Sequence, residues 1–269
     1  MSTPLSVHTT PGAETTGAVA AVISSLPVSF APASGAPDVT AVAGHAGWTG
    51  RAAAAIRAGA RGVVVSDPVA EDPGALTETA AGSGAVVVLD QHWAGNPALA
   101  ASHDAARAVI SAALADCVLL DSVAYGAPGD EPMALLADQL AAVLQAGIDV
   151  RQLKVIQRST NGYTVVGKLA NGAPAALQGI TTASVPATAS ISLLTSTGRT
   201  DITLPDPSAA WPAQIRSVTP AGATVLPTIY ESAHRHSWRR LRSQLEAGGP
   251  SPDLHQFSAL TSLLDRLND

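Results

Sequence analysis

The apolar positions in the first part of the chain fall into short unbroken runs separated by stretches of helical period. Asp38–Ala43, Gly62–Ser66 and Ala85–Asp90 are runs of this kind, rich in valine, with no polar alternation. Unbroken runs of that length read as strands buried on both faces. Leu5–Thr9 and Pro27–Ala31 are shorter strand candidates. Between them lie helical stretches. Ala13–Leu26 carries Val19, Val22, Ile23 and Leu26 on one side, and Trp48–Ala58 ends at Gly59, a suitable C-terminal cap. Glu71–Ala81 has acidic residues in its first turn, and Pro97–Ala112 follows the capping residue Asn96. Strand and helix in strict alternation predict a doubly wound parallel sheet with helices on both faces.

Near Asp116 the pattern changes. Cys117–Tyr125 predicts a strand and Glu131–Ala146 a helix, with Met133, Leu136, Leu140, Val143 and Leu144 apolar. Strands then follow one another at Leu153–Gln157, Tyr163–Leu169, Ala175–Thr181, Ser190–Thr195, Arg199–Leu204, Gln214–Thr219 and Ala223–Leu226. Asn161-Gly162, Asn171-Gly172, Thr197-Gly198 and Ala221-Gly222 supply turns between several of them. Helices over Ser232–Glu246 and Asp253–Leu267 close the chain, separated by the breaker Gly248-Gly249-Pro250-Ser251-Pro252. The predicted fold class is α/β. A Rossmann-like parallel-sheet domain over 1–115 precedes an α+β domain over 116–269 with a large, mostly antiparallel sheet.

Composition narrows the function. The chain has 269 residues, 46% hydrophobic, enough for a substantial core. Its net charge is −6 and it has no basic stripe, which argues against nucleic acid as a partner. The single Cys117 rules out an internal disulfide and any cysteine metal site, and reads as a buried structural residue. No apolar run approaches the ~20 residues of a membrane span, and the N-terminus lacks a signal-peptide pattern. A cytoplasmic location is the expectation.

Candidate chemistry gathers where the predicted parallel strands end. Val65-Ser66-Asp67-Pro68 closes a central strand, where open α/β sheets bind ligands. His8, His45 and His92 follow or end neighbouring strands and can share one rim with Asp67. Each also has a structural reading: Asp67 and Pro68 as turn residues, and Trp93 beside His92 as a junction residue. His234-Arg235-His236 with Trp238-Arg239-Arg240 is the densest polar cluster. It reads either as an anion or substrate contact with a histidine proton donor, or as a solvated helix face with extended arginines.

The order of these motifs resembles the glucose–fructose oxidoreductase/inositol dehydrogenase (Gfo/Idh/MocA) family over nearly the whole chain. The resemblance rests on Asp38-Val39-Thr40-Ala41-Val42-Ala43, then Ala58-Gly59, then Val65-Ser66-Asp67-Pro68 at the place of a Glu-Lys-Pro. In the second half it rests on Gly167-Lys168-Leu169-Ala170-Asn171-Gly172. It implies a NAD- or NADP-dependent oxidoreductase acting on a sugar, polyol or aldehyde, with dimers formed through the antiparallel sheet. Cofactor contacts are then expected from Gly12, His45, Ser66 and Asp67, and catalytic roles from Asp67, His92, Asp138 and His234; no metal is implied.

Three departures stand against that activity. The glycine-rich phosphate loop is replaced by His8-Thr9-Thr10-Pro11-Gly12-Ala13-Glu14, with Glu14 expected near the pyrophosphate. The family lysine falls on Asp67. The family histidine falls on Leu135, leaving Asp138. The sequence thus supports a non-dehydrogenase partner subunit or small-ligand protein, paired with itself or with a paralogue. The alternative is an active oxidoreductase with an atypical cofactor site.

Overall fold

The computed structural model describes residues 3–100, 102–206, 209, 211–249 and 252–268. Pro250 and Ser251 of the expected breaker lie outside them. The chain forms two compact units, residues 1–91 with 233–261, and 92–232 with 262–269. The division therefore falls between Gln91 and His92 and not near 115, and a C-terminal segment returns to the first unit.

The first unit is built on a five-stranded parallel sheet of β1 (Leu5–Thr9), β2 (Phe30–Pro32), β3 (Val39–Ala43), β4 (Gly62–Ser66) and β5 (Val86–Asp90), in the order β2-β1-β3-β4-β5. β3, β4 and β5 are buried at every position, as their unbroken apolar runs require. The helix expected over 13–26 is two: α1 (Pro11–Gly17) and α2 (Val19–Ser24). The break is at Ala18, in the left-handed region at φ 43°. Glu14 fixes it by accepting the Ala20 N–H at 2.9 Å, so its carboxylate serves the start of α2 and does not point toward Pro11.

The helices α3 (Trp48–Arg57) and α4 (Gly74–Ser83) follow β3 and β4. The segment from Glu71 is not helical. Glu71 instead reaches the start of α3, where its carboxylate accepts the Gly47 N–H at 2.6 Å and the Thr49 hydroxyl. It thereby satisfies donors that α3 cannot pair within itself.

The returning helix α7 (Ala233–Ala247) packs on β4 and β5. With α1 and α2 it encloses an apolar cluster of Val7, Val64, Val88, Phe30 and Trp238, the last two rings meeting edge-on at 5.1 Å. Arg235 donates to Ser25 O at 2.6 Å and Arg242 to Ser29 O at 3.2 Å, so the expected arginine face ties α7 to the turn before β2.

The edge strand β5 has no further strand beside it. Its outward N–H at Leu89 donates to Asp253 Oδ2 at 2.9 Å, and Arg240 Nη2 donates to Leu89 O at 3.3 Å. Arg240 and Asp253 also pair with each other through two contacts of 2.9 Å. Asp253 opens α8 (Asp253–Asn268), whose Phe257 meets Trp48 edge-on at 5.5 Å. At Leu89 the two side chains thus take the place of a sixth strand.

The second unit begins with a single 3-10 turn at Pro97–Leu99, capped as expected by Asn96, whose side chain accepts the Ala98 N–H at 3.0 Å. The helix expected over 97–112 is confined to α5 (Asp104–Ala115). An eight-stranded sheet follows: β6 (Cys117–Gly126), β7 (Val150–Ser159), β8 (Gly162–Leu169), β9 (Pro174–Thr181), β10 (Thr188–Thr195), β11 (Arg199–Leu204), β12 (Gln214–Thr219) and β13 (Gly222–Val225). Their order is β13-β12-β11-β10-β6-β9-β8-β7, antiparallel except for the β6–β9 pair. α5 packs on β10 and β11, which is why it counts with this unit. α6 (Pro132–Gln145) covers β6 to β9 on the same side. Cys117 is buried, and burial pushes its thiol up. No helix among the described residues is long and apolar enough to cross a membrane.

Two outcomes are expected. Asp253→Asn keeps the size of the side chain but removes the charge paired with Arg240, and is predicted to cost about 3 kcal/mol in urea unfolding. Glu71→Ala removes a cap and is predicted to cost about 1 kcal/mol by the same measurement.

Candidate functional site

The carboxyl edge of the parallel sheet is drawn together by its own backbone. Gly44 N donates to Ser66 O at 2.8 Å, Val69 N to Gly44 O at 2.8 Å, and Asp67 N to Asp90 O at 3.0 Å. A Cβ on Gly44 would lie 2.2 Å from the carbonyl oxygen of Asp67, so only glycine permits this approach. Asp67 itself sits at φ 53°, in the left-handed region an aspartate tolerates better than most residues. It is half-buried.

Between β1 and β3 the strand order changes direction, which makes their ends the switch point of the sheet. The β1–α1 junction beside it is bonded to β3. Thr10 N and Thr10 Oγ1 both donate to Ala41 O, at 3.2 and 3.1 Å. A Cβ on Gly12 would stand 2.9 Å from Ala43 Cβ, so Gly12 serves the close packing of α1 on β3. Pro11 opens α1 and carries no N–H, and α1 ends after seven residues. After β2, Ala33 N is bonded to Val7 O, and the sequence Ala33-Ser34-Gly35-Ala36-Pro37 carries no charged side chain.

The remaining sequence-predicted residues take three kinds of place. His45 is exposed, its carbonyl accepting from Arg51 Nη2 at 2.5 Å, and His8 is exposed on β1. Ser66 is 1% exposed, with its hydroxyl turned to the place a side chain at Gly17 would need. Asp90, register-paired with Ser66, is buried and accepts from His234 Nδ1 at 2.7 Å. His234 is therefore engaged with a buried carboxylate at the start of α7.

In the second unit His92 Nδ1 lies 3.9 Å from Asp138 Oδ2, with both side chains about one-third exposed (37% and 30%). A histidine and a carboxylate that the sequence nominated separately are thus neighbours, a pair able to take and return a proton. Beside Asp138 on α6, Gln139 is fully buried. It accepts from Tyr163 Oη at 2.7 Å and donates to Ser122 Oγ at 2.8 Å, and Ser122 Oγ donates to Ser190 O at 2.8 Å. This network fixes the height and rotation of α6, and with it Asp138. Burial, reinforced by the charge of Asp138, pushes the Tyr163 hydroxyl well above the ordinary phenol range.

Asp90, Glu71 and the Gln139 network were not among the sequence candidates. Asp90 had a signal, a carboxylate closing an otherwise apolar strand. Gln139 had one too, an amide in the stripe formed by Leu136, Leu140 and Val143.

No family model and no curated protein matches the sequence. Solved structures do. A 3-ketoreductase, KijD10 from Actinomadura kijaniata in complex with NADP, superposes with a TM-score of 0.72 at 14% identity, covering 98% of this chain and 97% of that one. Its open conformation with TDP-benzene and NADP gives 0.69 at 14% identity over the same shares. The UDP-N-acetylglucosamine 3-dehydrogenase GnnA from Acidithiobacillus ferrooxidans gives 0.67 at 12% identity, covering 98% and 96%. The chain has their fold. It is the fold of Gfo/Idh/MocA oxidoreductases, a parallel-sheet unit joined to a larger, mostly antiparallel one.

The β1–α1 junction, Thr10-Pro11-Gly12-Ala13, departs from a glycine-rich dinucleotide loop. A dinucleotide needs free backbone N–H groups at the β1–α1 junction and a polar side chain after β2 for its ribose. Here Thr10 N and Oγ1 donate to Ala41 O, Pro11 has no N–H, and position 67 carries a carboxylate.

Tyr163 yields a prediction. In the folded protein its hydroxyl stays neutral above the unfolded value of about 10, so the stability it contributes is complete below that pH and falls as pH rises further. Phenolate absorbance from Tyr163 should therefore appear only together with unfolding, whereas Tyr163→Phe should remove that component from the alkaline difference spectrum.

Proposed function

We propose that this chain is a non-dehydrogenase protein on an oxidoreductase fold, one that binds a small sugar- or polyol-like molecule and works as the partner or regulatory subunit of a catalytic relative. The observation that carries this reading is the β1–α1 junction, where Thr10 bonds to Ala41, Pro11 has no N–H and Gly12 packs on Ala43. His92 and Asp138 are the polar side chains proposed to meet the hydroxyl groups of the ligand. A hydroxyl-rich ligand can donate to the carboxylate and exchange hydrogen bonds with the imidazole, without a phosphate being present.

The proposed partner surface is the face of the eight-stranded sheet that α5 and α6 leave open. Val123 and Tyr125 on β6, Val166 and Lys168 on β8, and Gln178 and Ile180 on β9 alternate with the buried positions of their strands. A face of mixed aliphatic and polar groups suits a second copy of the chain or a paralogue of the same fold.

A second reading has one observation in its favour. The structural neighbours that bind NADP match over nearly their whole length. On that reading the chain is an NAD(P)-dependent oxidoreductase with an unusual cofactor site, and Asp67, His92, Asp138 and His234 are its catalytic candidates.

Calorimetric titration with NADPH and NADH decides between the two. The first reading expects no saturable heat with either up to about 1 mM, a concentration well above the affinity of a functional dinucleotide site. Binding in the micromolar range would favour the second. Cross-linking and co-purification from the native host would then report whether the open sheet face carries a second copy or a paralogue.

A further inference from the structure

Each sheet ends in strands whose outer backbone groups have no strand beside them: β2 and β5 in the first, β13 and β7 in the second. Three of these edges carry a device that keeps other strands away. At β5 the backbone of Leu89 is taken by Arg240 and Asp253. β2 is three residues long and ends in Pro32. β7 carries the exposed cations Arg151, Lys154 and Arg158, its register slips against β8, and Gln152 leaves the extended conformation at φ 52°. β13 has only its brevity. Gly222-Ala223-Thr224-Val225 has no charge and no proline, keeps an unbroken register with β12, and is exposed at every position. Val225 is 56% exposed.

The unpaired groups of β13 can be assigned. Leu226 N donates to Ile215 O at 2.9 Å, which continues the register that sets Arg216 opposite Val225. In an antiparallel ladder the peptide groups of alternate residues face the partner strand. Those of Gly222, Thr224 and Leu226 therefore face β12. The N–H and C=O groups of Ala223 and Val225 face away from the sheet. Pro227 brings no N–H and ends the free edge.

We infer that β13 pairs with the β13 of a second copy of the chain, antiparallel and about a two-fold axis at Thr224. The occupant follows from the register. With Thr224 opposite Thr224 of the partner subunit, Ala223 of each chain faces Val225 of the other, and each such pair exchanges both of its backbone hydrogen bonds. The outward groups of this edge are thus the complement of those on an identical edge, as a two-fold contact requires. The side chains agree. Within one chain Val225 is opposite Arg216 and Ala223 is opposite Val218. The row across the junction then reads Arg216, Val225, the partner's Ala223, the partner's Val218, with apolar groups at the seam and no like charges opposed. Thr224 meets its counterpart at a position without backbone bonds, where side chains come closest and threonine pairs are favourable. So short a contact buries less than a standard interface, and its dissociation constant is expected at about 0.1 to 1 mM. This edge is a different surface from the open face of the sheet, and pairing through the two leaves different marks.

The test is amide hydrogen exchange and sedimentation velocity of the full chain at about 10 µM and about 1 mM. Exchange at Ala223 and Val225 should slow by roughly twofold to fivefold at the higher concentration, while Thr224, already facing β12, should change far less. Val225→Pro removes an outward donor and leaves the bonds to β12 in place, and should weaken association by roughly tenfold. Thr224→Lys and Thr224→Glu should each associate less than the parent. Their equimolar mixture should associate more tightly than either alone, because residue 224 meets itself only across this two-fold axis. The inference is overturned if Ala223 and Val225 exchange at one rate at both concentrations, the result expected where a different protein supplies the strand. A dimer whose edge amides are not slowed, the mark of pairing through the open face, overturns it too and leaves that other contact standing. So does a Lys and Glu mixture that associates no more tightly than its components.

Discussion

Arg240 and Asp253 hold the first unit together at the β5 edge of its sheet. A parallel sheet that stops at β5 leaves N–H and C=O groups of that strand without a neighbour, a liability in any open sheet. Here a guanidinium and a carboxylate, paired with each other, respectively donate to and accept from the backbone of Leu89 as a further strand would. Each charge is paired with the other and bonded to the peptide it covers, although Arg240 Nε is buried without a partner among the described residues. The penalty for burying them is thereby offset. The pair also fixes where α7 ends its run along β5 and where α8 begins. The packing of Trp238 on Phe30, and of Phe257 on Trp48, follows from those two positions.

Much of the first unit could be read from the chain because fully buried parallel strands leave an unbroken apolar run. β3, β4 and β5 fall within a residue of where the runs put them. Hairpin turns such as Asn161-Gly162 and Asn171-Gly172 placed β7 to β9 for a similar reason, since those dipeptides suit backbone that most residues avoid. The misplaced elements were set by long-range side-chain bonds with no local signature. Glu14 breaks the first helix by reaching α2, and Glu71 stays out of α4 by reaching α3. Acidic residues near a helix start favour that helix in a local reading, and neither carboxylate serves the helix its position suggested.

The candidate site was legible in its members more than in its pairings. His92, Asp138 and His234 stand out as chemistry-bearing residues in a chain with little charge. Spacing along the chain could not reveal that His92 lies by Asp138, or that His234 lies by Asp90, because each pair joins segments brought together only by the fold. The polar groups that orient α6 were harder still to find, since Gln139, Tyr163 and Ser122 are scattered over more than one strand and helix.

What the carboxyl edge of the sheet lacks has a direct chemical consequence for the proposed function. Backbone N–H groups at a glycine-rich junction recognise phosphate because they are fixed donors that need no counter-charge. At this edge three backbone N–H groups are bonded inside the protein: Thr10 to Ala41, Gly44 to Ser66, and Asp67 to Asp90. Side chains offer another means of recognition. The pair available in the second unit, His92 with Asp138, offers a carboxylate acceptor and an imidazole that can accept or donate. Such a pair repels phosphate when the imidazole is neutral and welcomes hydroxyl groups at any protonation state in which the carboxylate is charged. On the proposed reading, a fold that binds NADP in its structural neighbours would instead take a neutral hydroxylated ligand in this chain.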